Sequence, residues 1–184
     1  YLSIDPYMRG RMNDAVSYTG PVKIGDVMVG ESVGVVVESK SDNFKSGDYA
    51  CVHGGWQTYI VVRGDGPELF QADPDIVPLS TYLGTVGMPG RTAYFGLTRL
   101  GKPIEGETVV VSAASGAVGT VVGQVAKILG CRAVGVAGGE VKCSYVTDEL
   151  GLDACVDYKA GNLEEDIKNA CPNGIDVYFE NVGG

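Results

Sequence analysis

The chain has 184 residues, 45% hydrophobic and 20% charged, with a formal net charge of −9. That much apolar material excludes wholesale disorder, and an acidic chain with no run of Lys and Arg excludes a nucleic-acid binder held by phosphate contacts. The 28 glycines, about twice the ordinary share, follow no Gly-X-Y period and sit among Val, Ile and Ala, which excludes collagen and a low-complexity linker.

Five cysteines, Cys51, Cys131, Cys143, Cys155 and Cys171, are odd in number and never spaced C-x-x-C. This argues against a disulfide framework and a four-cysteine zinc site, and it suits a reducing cytoplasm. The longest uncharged stretch, 108–126, has the length of a membrane helix. Its middle, Ser112-Ala113-Ala114-Ser115-Gly116, is small and turn-prone, so the stretch reads as strand, turn and helix, and no membrane span is predicted. The opening Tyr1-Leu2-Ser3-Ile4-Asp5-Pro6 has no signal-peptide pattern and reads as starting inside a fold.

In chain order, residues 27–37 are apolar and β-branched, 45–48 form a turn, and 49–52 and 57–62 read as further short strands, together suggesting a small barrel. A helix is predicted over 91–100, broken at Gly101-Lys102-Pro103. From Glu107 the pattern alternates strictly. Strands are predicted at 108–112, 133–137, 154–157 and 175–179, with helices at 117–129, 141–150 and after Asn162, whose partner Glu165 three residues on suggests an N-terminal cap. Val118, Val121, Val122, Val125 and Leu129 mark one face of the first of these helices. Strands separated by helices of this length imply right-handed crossovers and a parallel sheet. Four strands are about two short of a complete doubly wound sheet, so the chain reads as stopping partway through a domain.

The strongest local signal is Ala114-Ser115-Gly116-Ala117-Val118-Gly119, between a strand and an amphipathic helix. This is G-x-G-x-x-G with alanine in the first place. Gly116 lets the backbone approach a pyrophosphate, Gly119 lets the helix pack closely on the sheet, and the helix N-terminus offers N–H groups to the anion. The competing reading is a glycine-rich turn that merely packs tightly; the βαβ context favours dinucleotide binding. NAD-type sites carry Asp or Glu at the end of the second strand for the ribose 2′-hydroxyl. Here that place reads Val136-Ala137-Gly138-Gly139 with Lys142 beyond, a small platform beside a cation that suits the 2′-phosphate of NADP. Glu140 opposes this, and Lys142 also reads as an ordinary solvated lysine.

Several segments together resemble a known family: residues 1–9; Gly87-Met88-Pro89-Gly90 with 92–97; Ser112 to Gly119; Val136 to Cys143; and 174–184, ending Glu180-Asn181-Val182-Gly183-Gly184. The chain resembles the zinc-independent branch of the medium-chain dehydrogenase/reductase superfamily, in particular its NADPH-dependent double-bond reductases. These include prostaglandin reductases, plant alkenal reductases and bacterial curcumin reductases. The resemblance implies an α/β chain, with a GroES-like barrel over 1–85 and a Rossmann domain over 86–184, truncated at both ends. It implies that Gly116, Ala117, Val118 and Gly119 hold the pyrophosphate, Lys142 and Tyr158 the 2′-phosphate, and that Asn181 meets the cofactor, with Met88 and Thr92 near the nicotinamide. Tyr7 would line the substrate pocket, though barrel packing is an equal reading of an aromatic there. The catalytic residue is unknown from this chain, since the family's proton-assisting tyrosine lies beyond Gly184.

No metal site is expected: the related zinc alcohol dehydrogenases need Cys and His ligands with a four-cysteine lobe, and this chain has a single histidine, His53. His53 reads as a loop or core residue rather than a base, and the absence of G-x-S-x-G argues against a Ser-His-Asp hydrolase. The expectation is an NADPH-dependent reductase of the C=C bond of α,β-unsaturated ketones or aldehydes, cytoplasmic and homodimeric when intact, with no nucleic-acid or membrane partner. The alternatives are a zinc-free quinone reductase and a non-catalytic NADP-binding redox sensor.

Overall fold

A parallel sheet buried on both faces needs continuous β-branched strands and crossing helices, and the chain supplies both only after its midpoint. Residues 1–14 and 19–183 are described in a computed structural model of the chain. They fall into two units, Tyr1–Gly84 and Thr85–Gly184.

The first unit carries a short helix, α1 (Tyr7–Arg11), and three strands, β1 (Ser32–Val35), β2 (Tyr49–Val52) and β3 (Phe70–Ala72), paired antiparallel in the order β1-β2-β3. A 3₁₀ helix, Leu79–Leu83, lays the buried Tyr82 against Val33, Cys51 and Ala72. Among the described residues these strands form an open sheet, which meets Leu2 only at an isolated bridge to Ser32; closing a barrel takes more strands. Of the strand expected over 27–37 only Ser32–Val35 forms a ladder. The carbonyls of Met28 and Gly30 instead accept from Trp56 and Gly55, a loop contact rather than a register. The run 57–62 is no strand: Val61 and Tyr59 face solvent, and the stretch has no ladder partner among the described residues.

In the second unit, α2 (Met88–Phe95) starts three residues earlier than expected, because Pro89 in its first turn is already set for helical backbone. It ends in a π-helical turn, Gly96–Gly101, with Lys102 left-handed at φ 50°. Then β4 (Thr108–Val111), α3 (Gly119–Ile128), β5 (Arg132–Ala137), α4 (Glu140–Ser144), β6 (Ala154–Asp157), α5 (Leu163–Ala170) and β7 (Val177–Phe179) alternate. The helix expected over 141–150 divides, with α4 passing into a π-helical turn at Tyr145–Glu149. Asn162 does precede α5, but its side chain makes no capping bond; its carbonyl accepts from Asp166 instead.

The four strands pair parallel in the order β6-β5-β4-β7. Alternate residues of β4 serve opposite faces. Val109 and Val111, with Ala133 of β5, meet Ala93 and Leu97 and the α3 residues Val122 and Ala126. Val110, with Val134 and Val156, meets Ile167 and Ala170 of α5 and the adjacent Cys171. All three valines of β4 here are essentially fully buried, each stabilising the fold by about 1.5–3 kcal/mol relative to exposure. Helices on both faces of a parallel sheet make this second unit a partial doubly wound α/β unit.

Candidate functional site

The chain winds β4, β5, β6 outward in one direction, then α5 carries it across the other face to β7 on the far side of β4. The strand order therefore reverses between β4 and β7, and the crevice at their carboxyl ends is where such sheets take ligands. The residues that follow β4 and β7 are the glycine motif and Asn181.

After β4, residues 113–118 form a turn, so α3 begins at Gly119 and not at Ala117. Gly116 N–H donates to Ala113 O at 2.8 Å and Thr120 N–H to Gly116 O at 2.9 Å. The backbone N–H groups of Ala117, Val118 and Gly119 make no backbone hydrogen bond among the described residues, which leaves them as donors for an anion. Gly119 is fixed by close approach: a Cβ there would stand 2.3 Å from Ala113 O and 2.8 Å from Ala114 Cα. The alanine in the motif's first place is compensated one strand away. Ala114 is fully buried, and a Cβ on Gly135 of β5 would lie 2.7 Å from Ala114 Cβ. The glycine missing from the motif has in effect moved to the neighbouring strand.

β4 and β7 are tied at their ends by Ser112. The Ser112 hydroxyl donates to Glu180 Oε1 at 2.9 Å and accepts Asn181 N–H at 2.7 Å, while Asn181 Nδ2 donates to Ser112 O at 2.9 Å. Glu180 Oε1 also accepts from Gly183 N–H at 3.0 Å and from Val182 N–H. The Tyr178 hydroxyl first, then these two amides and the Ser112 hydroxyl, hold the Glu180 carboxyl down to about 2. The same carboxylate pushes the Tyr178 phenol up, with burial adding to it. Asn181 thus has its amide donor committed to the sheet and its Oδ1 left as an acceptor at the switch point.

Two further turns meet at the ends of β5 and β6. Gly139, at φ 97°, opens α4, and Lys142 N–H donates to Gly139 O at 3.1 Å with the Lys142 side chain in solvent. Tyr158 lies across Gly138: a Cβ there would be 2.7 Å from the Tyr158 hydroxyl oxygen and 2.8 Å from two ring carbons. Asp157 Oδ1 accepts from Gly139 N–H at 2.8 Å and from Lys159 N–H at 2.9 Å, in that order of effect on its carboxyl, which is lowered. Lys159 Nζ stands 5.9 Å from the Tyr158 ring centroid. The turn that opens α4, the helix bearing Lys142, and the turn bearing Tyr158 are therefore one hydrogen-bonded piece.

Two family models match the chain, one described as the N-terminal domain of oxidoreductase over residues 1–70, the other as zinc-binding dehydrogenase over 117–184. The NADPH-dependent curcumin reductase of Escherichia coli (strain K12) is 53% identical over the whole chain, which spans 53% of that protein. Prostaglandin reductase 1 of Bos taurus is 47% identical, again over the whole chain and 54% of its own length. The structure of CurA from Vibrio vulnificus in complex with NADPH superposes with a TM-score of 0.90 at 51% identity, covering all of this chain and 54% of that one. Over its whole length the chain is similar to these oxidoreductases, and each of the two family models matches one end of it. It spans about half the length of the relatives it matches.

The remaining expected residues lie on α2, on α1 and in the loop after β2. Met88 and Thr92 lie four apart on α2, on one side of that helix, Thr92 exposed and Met88 partly so. Tyr7 opens α1 in the first unit, half-buried, with the Arg11 guanidinium 6.0 Å from its ring centroid. His53 is an exposed loop residue after β2. Gly184, the last residue of the matching terminal segment, lies outside the described residues. Among the described residues no group of three or more His, Cys, Asp or Glu could hold a metal ion, and no helix is long and apolar enough to cross a membrane.

Sequence reasoning missed Ser112, Glu180, Asp157, Lys159 and Gly135. Each sits beside a residue it did find or opposite one across the sheet. For Ser112, Glu180 and Asp157 the signal available was a polar side chain at the carboxyl end of a parallel strand, which is where doubly wound sheets place ligand contacts; Gly135 carries no such signal.

Proposed function

We propose that the protein carrying this chain uses NADPH to reduce the C=C bond of α,β-unsaturated ketones or aldehydes. The observation that carries the cofactor reading is the turn after β5. Where an NAD-type site presents a carboxylate, this one presents a glycine crossed by Tyr158, with Lys142 on α4 and Lys159 on the turn after β6. The residues fit the rest of a dinucleotide. Gly119 keeps α3 against the loop, the amides of 117–119 are open donors, and Asn181 Oδ1 is an open acceptor at the switch point.

When bound, NADPH supplies a hydride. The chain's own residues orient and stabilise: the loop 116–119 would hold the pyrophosphate, Lys142 and Tyr158 the 2′-phosphate, and Asn181 the cofactor at the strand ends, with Met88 and Thr92 beside the nicotinamide and Tyr7 in the substrate pocket. Preorganised donors of this kind cost no reorganisation when charge develops. The similarity to a curcumin reductase and a prostaglandin reductase supports the enone class. We place the protein in the cytoplasm, where thiols stay reduced, and read it as a homodimer by the family resemblance.

The test is turnover of the protein with NADPH against enones, simple quinones and saturated ketones in parallel. Loss of NADPH with enones is expected. Turnover of quinones alone would make it a quinone reductase, and binding without turnover would make it a redox sensor; either refutes the proposal.

A further inference from the structure

We propose that Asp157 is the positioning residue of the 2′-phosphate site, latching the turn after β5 to the turn after β6 through hydrogen bonds rather than through its charge. This rests on the reading that these two turns receive the 2′-phosphate.

A single atom does the joining. Asp157 Oδ1 accepts Gly139 N–H at 2.8 Å, across 18 residues of sequence, and Lys159 N–H at 2.9 Å. Gly139 is the residue from which α4 and Lys142 start, and Lys159 follows Tyr158 directly. Tyr158 N–H donates in turn to Ala137 O at 3.1 Å, so the phenol is held across Gly138 from both sides. With two N–H groups on one oxygen, the lysine-bearing helix and the tyrosine cannot move independently.

The charge of Asp157 opposes the ligand this site is read to take. A carboxylate near a phosphate raises its energy, and the exposed Lys142 and Lys159 must offset that repulsion. Asn keeps an acceptor oxygen of nearly the same shape without the charge, whereas Ala leaves Gly139 and Lys159 N–H without their partner. The two substitutions therefore separate latch from charge.

The experiment titrates NADPH and NADH onto the full-length protein by fluorescence, for wild type, Asp157→Ala, Asp157→Asn and Lys142→Ala. Asp157→Ala is expected to weaken NADPH about ten-fold, the loss of one to two hydrogen bonds' worth of positioning, and NADH about three-fold or less. Asp157→Asn is expected to keep NADPH affinity or tighten it. If Asp157→Ala does not fold, Asp157→Asn decides alone: a ten-fold loss of NADPH affinity in it overturns the latch. An unchanged Asp157→Ala would do the same. Equal affinity of wild type for both dinucleotides, or equal losses in Lys142→Ala, would instead overturn the 2′-phosphate reading on which the latch rests.

Discussion

Gly119→Ala is the substitution whose cost can be worked most closely from the structure. The new methyl would stand 2.3 Å from Ala113 O, 2.8 Å from Ala114 Cα and 2.9 Å from Ala113 C, where ordinary contact begins at 3.4 Å. All three are backbone atoms of the turn between β4 and α3, so relief requires moving α3 or the turn by roughly 1 Å, an overpacking cost of about 1–3 kcal/mol. Ala regains up to about 1 kcal/mol of helix propensity over Gly, which partly offsets it. The net loss is expected as a lower denaturant midpoint at unchanged slope, and the shifted amides should weaken NADPH about ten-fold or more. Gly123→Ala is the internal control. Its methyl meets Leu152 side-chain atoms at 2.7–3.0 Å, and a side chain can rotate away. Gly119→Ala with wild-type midpoint and wild-type NADPH affinity, or a loss no larger than in Gly123→Ala, would refute the close-approach reasoning.

Lys142→Ala should weaken NADPH by about ten-fold while changing NADH little, read by the same titration, because only the 2′-phosphate distinguishes the two. Ser112→Ala removes the hydroxyl that joins Glu180 to Asn181. It should cost about 1–3 kcal/mol in chemical denaturation, with a loss of dinucleotide affinity. Glu180 makes the acid limb of stability testable. Its folded carboxyl is depressed from the ordinary 4.5 to about 2, so its stabilising effect is complete above 4.5 and fades as pH falls toward 2. Glu180→Gln should therefore flatten the denaturation midpoint between those pH values; an acid limb as steep as wild type would show that the carboxylate contributes nothing there.

The alternating half of the chain was legible because its signals are local. The β-branched run of β4 and the valine spacing of α3 each report burial within a dozen residues; β4 stands where expected, and α3 does so but for its first two residues and its last. What escaped was long-range or backbone-specific. The apolar run 57–62 alternates like a strand, yet a strand exists only with a partner, and no local pattern supplies one. Asn162 has the residue type of a cap and sits at the cap position, but its carbonyl, not its side chain, serves the helix. Met88 and Pro89 extend α2 backward because proline suits a first turn, a rule that the glycines on either side obscured. In the site, the glycine motif and Asn181 could be found by position, whereas Ser112, Glu180 and Asp157 work through bonds to residues 18 to 69 positions away. Gly135 is the clearest case. Its meaning depends on Ala114 of the loop after the neighbouring strand, a pairing visible only once β4 and β5 are in register.

The claim that this protein reduces a C=C bond, rather than a carbonyl, is tested most directly by the fate of the transferred hydrogen. Full-length protein given an α,β-unsaturated ketone and NADPH deuterated at the transferring position should yield the saturated ketone with deuterium on the β-carbon, seen by NMR. Deuterium on the carbonyl carbon of an allylic alcohol, or no labelled product from any enone, would contradict it.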